Sequence, residues 1–210
     1  MKLPPIAVYG AGGFGREVAW LAEQCEREVH CFIDDAPKVG SLLGGIPVIT
    51  LDALRASKQE VEVALGIGSP SARQSLAANV ESAGLRFAEL VHPRVEKSRW
   101  VRWGTGPVIC AGNILTCDIE LGHHVQLNLD CTIGHDVRLG DFATLAPGVH
   151  VSGWVFIGAR AYVGTGASII NGTANDPIVI GDDAVIGAQA CVVKSIGNGV
   201  TAIGVPARPR

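Results

Sequence analysis

The stretch YGAGGFGRE near the N-terminus has the glycine spacing of a nucleotide-binding turn. Gly10, Gly12 and Gly15 satisfy the pattern G-x-G-x-x-G between an apolar run and a helix-compatible segment. Backbone N–H groups at Gly12, Gly13 and Phe14 would receive a phosphate or sugar oxygen, because a helix N-terminus favours anions. The stretch therefore predicts a phosphate-binding turn.

Two acids follow at a distance typical of dinucleotide-binding proteins. Asp34 and Asp35 stand at the end of a second predicted strand, residues 29–33, where an NAD-binding protein keeps its ribose-binding acid. An NAD-dependent dehydrogenase is the first interpretation of this pattern. The segment is too short for the two mononucleotide-binding halves of a dinucleotide site, so we expect a single nucleotide, with these carboxylates accepting hydrogen bonds from its base or ribose.

The glycine turn lies where short apolar strands alternate with helical patterns. The predicted strands cover residues 6–9, 29–33 and 61–67, and the predicted helices cover residues 16–24, 51–56 and 71–83. This alternation predicts a small α/β domain with a parallel sheet, half of a Rossmann fold, over residues 1–90.

The rest of the chain follows a six-residue period, typical of a parallel β-helix in which three units close one triangular coil. The aliphatic residues of the period are Ile109, Leu115, Leu121, Leu127, Ile133, Leu139, Leu145, Val151, Ile157, Val163, Ile169 and, after an insertion at residues 171–177, Ile180, Ile186 and Val192. The pattern predicts a β-helix over residues 108–210, after a linker and entry into the β-helix at residues 91–107. Glycine often follows the aliphatic residue, and we expect it to adopt backbone angles that other residues avoid.

Three polar residues stand out because a β-helix does not need them. Asn128 and His135 lie in the segment LNLDCTIGHD, and Asp136 follows the histidine directly. The unperturbed pKa of histidine lies near neutral pH, and an adjacent carboxylate can fix its tautomer and basicity. The pair is therefore a candidate for proton transfer.

The order of motifs along the chain resembles the bacterial family of sugar O- and N-acetyltransferases with a left-handed β-helix. The motifs are YGAGGFGRE, FIDD, GIGSPSAR, VHP, NLDCTIGHD, the hexads and GVPAR, and they cover essentially the full length. Sialic acid O-acetyltransferases and UDP-4-amino-sugar N-acetyltransferases of the bacillosamine type are its named members. The resemblance implies a homotrimer with active sites between neighbouring β-helices, acetyl-CoA as acyl donor, no metal, and a UDP sugar held mainly by the N-terminal domain.

The resemblance also implies a role for each polar residue of the repeat. His135 would be the general base that takes a proton from the acceptor amine or hydroxyl, and Asp136, where many members carry glutamate, would orient its imidazole. Asn128 would support the site by hydrogen bonding. The backbone N–H of Gly153 would face the thioester and stabilise the developing oxyanion.

Candidates for cofactor contacts come from matching positions in this class. Thr165, Gly187 and Ala188 match residues that lie against coenzyme A, and Lys194 and Arg208 are candidates for its phosphates.

Two residues depart from the family pattern. Phe14 replaces a histidine that many members carry in GAGGHG, and Thr144 replaces a further histidine nine residues after the base. The first change removes a hydrogen-bonding group from the predicted substrate site, and the second removes an imidazole contact to the cofactor.

The bulk composition restricts the partners. The chain has 210 residues, of which 48% are hydrophobic and 18% charged, and a net charge of −3 without any run of like charge. Neither nucleic acid nor a membrane is therefore expected as a partner. Six cysteines without a C-x-x-C pair, and the lack of a signal segment or a membrane-length apolar run, suggest a cytoplasmic protein with reduced thiols.

Other functions stay open at this point. Acetylation of a sugar hydroxyl, as in sialic acid, keeps the chemistry and changes the acceptor. A trimeric zinc carbonic anhydrase would need spaced histidines, whereas His123 and His124 are adjacent and are expected, with His150, at the surface. A non-catalytic sensor of nucleotide sugars would not depend on His135.

Overall fold

A computed structural model describes residues 3–35 and 40–210 of the chain. The chain divides into two compact units, Met1–Val91 and His92–Arg210. Each unit is described separately below.

The first unit is a six-stranded sheet with three helices, which confirms the predicted small α/β domain. In chain order its elements are β1 (Ile6–Tyr9), α1 (Gly13–Gln24), β2 (Val29–Ile33), β3 (Leu42–Leu43), β4 (Ile46–Ile49), α2 (Leu51–Ser57), β5 (Glu62–Leu65), α3 (Pro70–Ser82) and β6 (Arg86–Phe87), and a short strand β7 (Leu90–Val91) ends the unit. The strand order is β3-β4-β2-β1-β5-β6, and only β3 runs antiparallel to its neighbour. The sequence did not predict β3, β4 or β6, which are short or lie in a turn-rich stretch.

The strand order changes direction beside β1. From β1 the sheet grows towards β2 and β4 on one side and towards β5 and β6 on the other. In open parallel sheets, ligands bind outside the carboxyl ends of the strands at such a switch point. The glycine turn follows the carboxyl end of β1 and therefore lies at this place.

Close backbone packing explains two of the three glycines of the predicted fingerprint. A Cβ atom on Gly15 would overlap the carbonyl oxygen of Gly10, and one on Gly10 would lie 2.7 Å from the carbonyl oxygen of Gly66. These glycines let α1 pack directly against the ends of β1 and β5. Gly12 and Gly13, in contrast, have no neighbouring atom within 4 Å of an added Cβ, so they lie on open surface.

The second unit is a triangular β-helix of stacked parallel strands. Its first face consists of β8 (Glu96–Lys97), β11 (Ile114–Leu115), β14 (Thr132–Ile133), β17 (His150–Val151), β20 (Ser168–Ile169) and β23 (Cys191–Val192). Its second face consists of β9 (Val101–Trp103), β12 (Ile119–Leu121), β15 (Arg138–Leu139), β18 (Val155–Ile157) and β21 (Ile178–Ile180). Its third face contains β10 (Val108–Ile109), β13 (Gln126–Leu127), β16 (Thr144–Leu145), β19 (Tyr162–Val163), β22 (Val185–Ile186), β24 (Thr201–Ile203) and β25 (Arg208–Pro209).

The regular coil takes 18 residues, since Ile109 pairs with Leu127 and Leu127 with Leu145, and the last step, from Ile186 to Ala202, takes 16. The next-to-last step is longer: Val163 pairs with Ile186, 23 positions on, and the five additional residues fall in the predicted insertion at 171–177. The first coil begins with β8 and β9, which lie in the segment 91–107 that the sequence assigns to a linker and entry into the β-helix.

The expected reason for glycine after the aliphatic residue is wrong. Among the described residues, none of these glycines has a left-handed φ. Instead, a Cβ on Gly140 would lie 2.6 Å from the backbone nitrogen of Ala159 in the next coil. The left-handed angles occur two residues later and are adopted by ordinary side chains, for example His124, Asp136 and Phe142 with φ of 54°, 58° and 61°.

The glycine packing in the first unit predicts a selective loss of stability. Gly15→Ala should lower the free energy of unfolding of this unit by about 1–3 kcal/mol, because the added methyl group overpacks a backbone contact. Gly13→Ala is the matched control, since its methyl group meets open space, and it should not destabilise the unit. Urea unfolding followed by helical circular dichroism measures this, since α1, α2 and α3 all lie in the first unit. Equal midpoints for Gly15→Ala and the wild type would contradict the packing.

Candidate active site

His135 and Asp136 form a hydrogen-bonded pair at the corner between the first and second faces, here called the His135 corner. The imidazole Nδ1 lies 2.8 Å from Oδ2 of Asp136, and the side chains are 55% and 33% exposed. A carboxylate only accepts hydrogen bonds, so Nδ1 carries the proton. In the neutral imidazole Nε2 is then free to accept a proton, which is the tautomer that a general base needs.

Gly153 lies beside the imidazole in the next coil. A Cβ at Gly153 would lie 2.6 Å from both Nε2 and Cε1 of His135, so only glycine leaves room for the ring. No hydrogen bond from the Gly153 N–H is formed within the described parts of the chain. The arrangement brings a free Nε2 and a free backbone N–H close together, as a base and an oxyanion donor require.

Asn128 lies at a different corner. It precedes β14, whereas His135 follows β14, so the two residues stand at opposite ends of the first face. The corner between the third and first faces is here called the Asn128 corner. The Asn128 Oδ1 is buried without a hydrogen-bond partner among the described residues, and the backbone oxygen accepts from Nδ2 of Asn113 at 2.7 Å.

The candidate cofactor residues divide between the two corners. Thr165, Gly187 and Ala188 lie at the Asn128 corner in later coils, where Thr165 oxygen accepts from the Gln189 N–H at 2.8 Å. Lys194 follows β23 and so lies in the column of His135 and Gly153, at the C-terminal end of the β-helix.

Lys194 and Arg208 are brought together at this end. Both line a cavity of about 390 Å³ whose other walls include Ile196, Val200 and Pro209. Two cations beside an apolar surface suit a phosphate attached to an aromatic base.

The start of α1 is an open helix N-terminus. The N-cap residue Gly12 provides no side-chain hydrogen bond, and the first turn carries no acid, whereas Thr50 caps α2 by accepting from the Ala53 N–H at 3.1 Å. Gly12 and Gly13 border open space, and Phe14 is half-buried. This end of α1 therefore retains free N–H groups for an anion.

Asp34 holds the glycine turn in place. Its Oδ2 accepts from the Ala11 N–H at 3.1 Å, and its Oδ1 accepts from the Asp35 N–H at 2.9 Å. Both Asp34 oxygens thus bind backbone groups of the protein, whereas Asp35 is exposed and its carboxylate accepts a hydrogen bond from the Tyr9 hydroxyl.

The sequence did not single out two residues that border this turn. The pKa of Tyr9 is raised, mainly by burial and further by Asp35 and Asp34, while a hydrogen bond from Asn79 opposes the shift. Arg73 is 1% exposed and donates to the carbonyl oxygens of Ile67 and Gly68 at 3.0 and 3.4 Å. Burial lowers the pKa of Arg73 to about 9. The sequence feature that could have pointed to Arg73 is its position, four residues after the segment GIGS.

One of the expected surface histidines is buried. His124 is 4% exposed, and its ring stacks on Phe142 of the next coil with centroids 5.0 Å apart, because residues 18 apart lie in one column. His123 and His150 are exposed as expected. Within residues 3–35 and 40–210, no group of three or more His, Cys, Asp or Glu side chains could hold a metal ion.

Cys131 lies near His135 in sequence but is unsuited to act as a nucleophile. It is fully buried, and burial raises the pKa of its thiol to about 11. The reactive thiolate is therefore scarce at neutral pH.

The fold and this corner define the class of protein: a β-helix acyltransferase with a nucleotide-binding type of N-terminal domain. A family model described as "PglD N-terminal domain" matches residues 5–80. A GDP-perosamine N-acetyltransferase of Escherichia coli O157:H7 is 30% identical over 208 residues, which are 96% of this chain and 94% of that enzyme.

Solved structures agree over the whole length. Perosamine N-acetyltransferase of Caulobacter crescentus, crystallised as a mutant with CoA and GDP-perosamine, superposes with a TM-score of 0.91 at 29% identity, covering 100% of this chain and 98% of that one. The acetyltransferase domain of PglB from Neisseria gonorrhoeae FA1090, in complex with acetyl coenzyme A, has a TM-score of 0.89 at 30% identity and covers 100% of both chains.

The chain belongs to the family of bacterial sugar acetyltransferases of the bacillosamine and perosamine type. Its β-helix is the left-handed form, and it is an enzyme that uses acetyl-CoA as acyl donor. Among the described residues, no helix has the length and apolar character needed to cross a membrane.

The packing of Gly153 against His135 predicts a specific loss of activity. Gly153→Ala should displace the imidazole and reduce kcat/KM by about 10²-fold or more, because an error of about 1 Å in a catalytic group has this effect. Ser152→Ala, an exposed neighbour, should retain activity. Steady-state acetyl transfer and a thermal unfolding scan of both variants measure this. Full activity of a folded Gly153→Ala would show that the contact is irrelevant.

Proposed function

We propose that the enzyme transfers an acetyl group from acetyl-CoA to the amino group of a nucleotide-activated sugar, with His135 as general base. The observation that carries this proposal is the His135–Asp136 pair, which keeps Nε2 free beside the Gly153 N–H. Full-length similarity to perosamine N-acetyltransferases supports a nucleotide-linked amine as acceptor. Acetylation of a sugar hydroxyl is the alternative.

The reaction is a direct transfer. The amine nitrogen attacks the thioester carbonyl carbon while Nε2 of His135 takes the proton that the nitrogen loses, and Asp136 stabilises the resulting imidazolium. The Gly153 N–H donates to the carbonyl oxygen as it becomes negative. The C–S bond then breaks, and coenzyme A leaves as a thiolate that regains the proton from His135.

We also propose a homotrimer, because one chain separates groups that the reaction uses together. His135 and Gly153 lie at one corner, and Asn128, Thr165 and Ala188 lie at another. Placing the Asn128 corner of one subunit beside the His135 corner of the next would unite them in a groove. Coenzyme A in that groove would reach Lys194 and Arg208 with its phosphates.

The nucleotide is proposed to bind at the start of α1, with its diphosphate on the free N–H groups of Gly12 and Gly13. The family resemblance favours UDP, with Asp35 accepting from uracil or ribose. The two relatives named for GDP-perosamine favour GDP as a second candidate. Phe14 provides a ring for packing and no hydrogen bond in either case.

His135→Asn is expected to reduce kcat by about 10²- to 10⁴-fold, the usual contribution of a general base, with little change in the dissociation constant of the nucleotide sugar. His150→Asn is the control, since His150 is an exposed histidine on the first face. Transfer of radiolabelled acetyl groups to GDP-perosamine and to a UDP-4-amino sugar measures this. Undiminished transfer by His135→Asn would remove the proposed base.

The nucleotide site is tested by thermal shift with UDP, GDP and NAD added singly, because a ligand that binds the folded state raises its melting temperature. UDP or GDP should stabilise the wild type by several degrees, and NAD should not. Gly13→Asp, which puts a carboxylate at the open N-terminus of α1, should abolish this shift. Stabilisation by NAD alone would instead favour the dehydrogenase interpretation.

A further inference from the structure

A small cleft on the second face adjoins the His135–Asp136 pair and is separate from the groups proposed to bind the nucleotide and coenzyme A. Its volume is about 220 Å³, and its lining includes Asp136, Asp118, Trp100 and Trp154. These four residues occupy one column, each 18 positions after the last. The coils are about 4.8 Å apart, so the two tryptophans lie about 14 Å apart with the two aspartates between them.

The aromatic walls suit a sugar ring. Trp100 is 51% exposed, and the Arg99 guanidinium lies over its ring at 5.0 Å. Phe156 extends the wall beside Trp154 and is overlaid by the Arg138 guanidinium at 5.3 Å. The volume of about 220 Å³ admits one pyranose ring against the Trp154 face and is too small for a nucleotide.

The lining of the cleft carries three acids and two arginines, Arg102 and Arg138, so its charges are mixed. The Asp136 carboxylate is engaged by His135, and Glu120 lies 3.8 Å from Arg138. The Asp118 carboxylate forms no hydrogen bond or ion pair within the described parts of the chain. Asp118 is thus the free acid closest in the column to the catalytic pair.

We infer that this cleft is the acceptor-sugar subsite, in which Trp154 packs on the pyranose ring and Asp118 binds the amine in its ammonium form. The ammonium releases one proton to solvent, and the neutral amine then attacks the thioester while His135 takes its second proton. The inference rests on the proposed function. Asp118 would therefore select amino sugars over their hydroxyl counterparts, because a carboxylate interacts more strongly with an ammonium group than with a neutral hydroxyl.

The test compares Asp118→Asn with Asp141→Asn on the full-length enzyme. Asp141 lies at another corner, and its Oδ1 accepts from the His123 N–H, a bond that asparagine preserves. Asp118→Asn should raise KM for the amino sugar about 10-fold with kcat nearly unchanged, as expected for lost charge-assisted binding. Asp141→Asn should match the wild type.

Two further readouts separate selectivity from a structural effect. Inhibition by the hydroxyl analogue of the nucleotide sugar, and the dissociation constant of the free nucleoside diphosphate, should be the same in Asp118→Asn and the wild type. Trp154→Ala should weaken binding of the nucleotide sugar about 10-fold through lost packing, and Trp154→Phe should restore most of it. An unchanged KM in Asp118→Asn, or an equal loss for the hydroxyl analogue, would overturn the subsite.

The same experiments distinguish a failure of the subsite from a failure of the proposed function. If no nucleotide amino sugar is acetylated by the wild type, the function itself is wrong. If the wild type acetylates one and both Asp118→Asn and Trp154→Ala behave like it, only the subsite is wrong.

Discussion

The spacing of one strand between successive coils is the constraint on which the second unit depends. Residues 18 positions apart are held in columns, as the pairing of Ile109 with Leu127 and of Leu127 with Leu145 shows. At some positions the backbones of successive coils are so close that a Cβ atom does not fit between them. Gly140, which lies against Ala159 of the next coil, is an example. The same restriction places the imidazole of His135 over Gly153 and thereby beside a free N–H. The geometry of the proposed catalytic pair is a consequence of coil stacking.

In the first unit, close backbone packing lies beside the candidate nucleotide site and leaves the site itself open. Gly10 and Gly15 allow the backbone of α1 to approach the ends of β1 and β5, and this close approach leaves the next turn open at Gly12 and Gly13. Asp34 then uses both carboxylate oxygens to fix the turn. Rigid packing on one side of the turn thus leaves free backbone N–H groups on the other.

Much of this architecture could be predicted from sequence periodicity, and the features that periodicity missed have physical causes. The six-residue period predicted the β-helix and its insertion, because each six-residue unit places one aliphatic side chain in the interior. It did not mark individual strands within the entry segment 91–107, because β8 and β9 contain charged and aromatic residues in place of the aliphatic pattern. It also assigned His124 to the surface, because a single-residue reading does not reveal that Phe142 of the next coil covers the ring. The free N–H of Gly153 and the fully used carboxylate of Asp34 depend on contacts between distant segments, which periodicity does not report.

The residue with a left-handed φ at each corner helps to explain why the candidate functional side chains lie at a corner of the β-helix. The faces are fixed by the aliphatic column and the ladder of backbone hydrogen bonds, whereas the corner residue tolerates many side chains. At one corner this position holds His124, Phe142, Arg160 and Asp183. His124 stacks on Phe142, and Arg160 forms an ion pair with Asp183. At the His135 corner it holds Asp118, Asp136 and Trp154, which leave a carboxylate and an aromatic surface unused by the protein. Equivalent positions in the repeat therefore stabilise one edge of the prism and present chemistry at another.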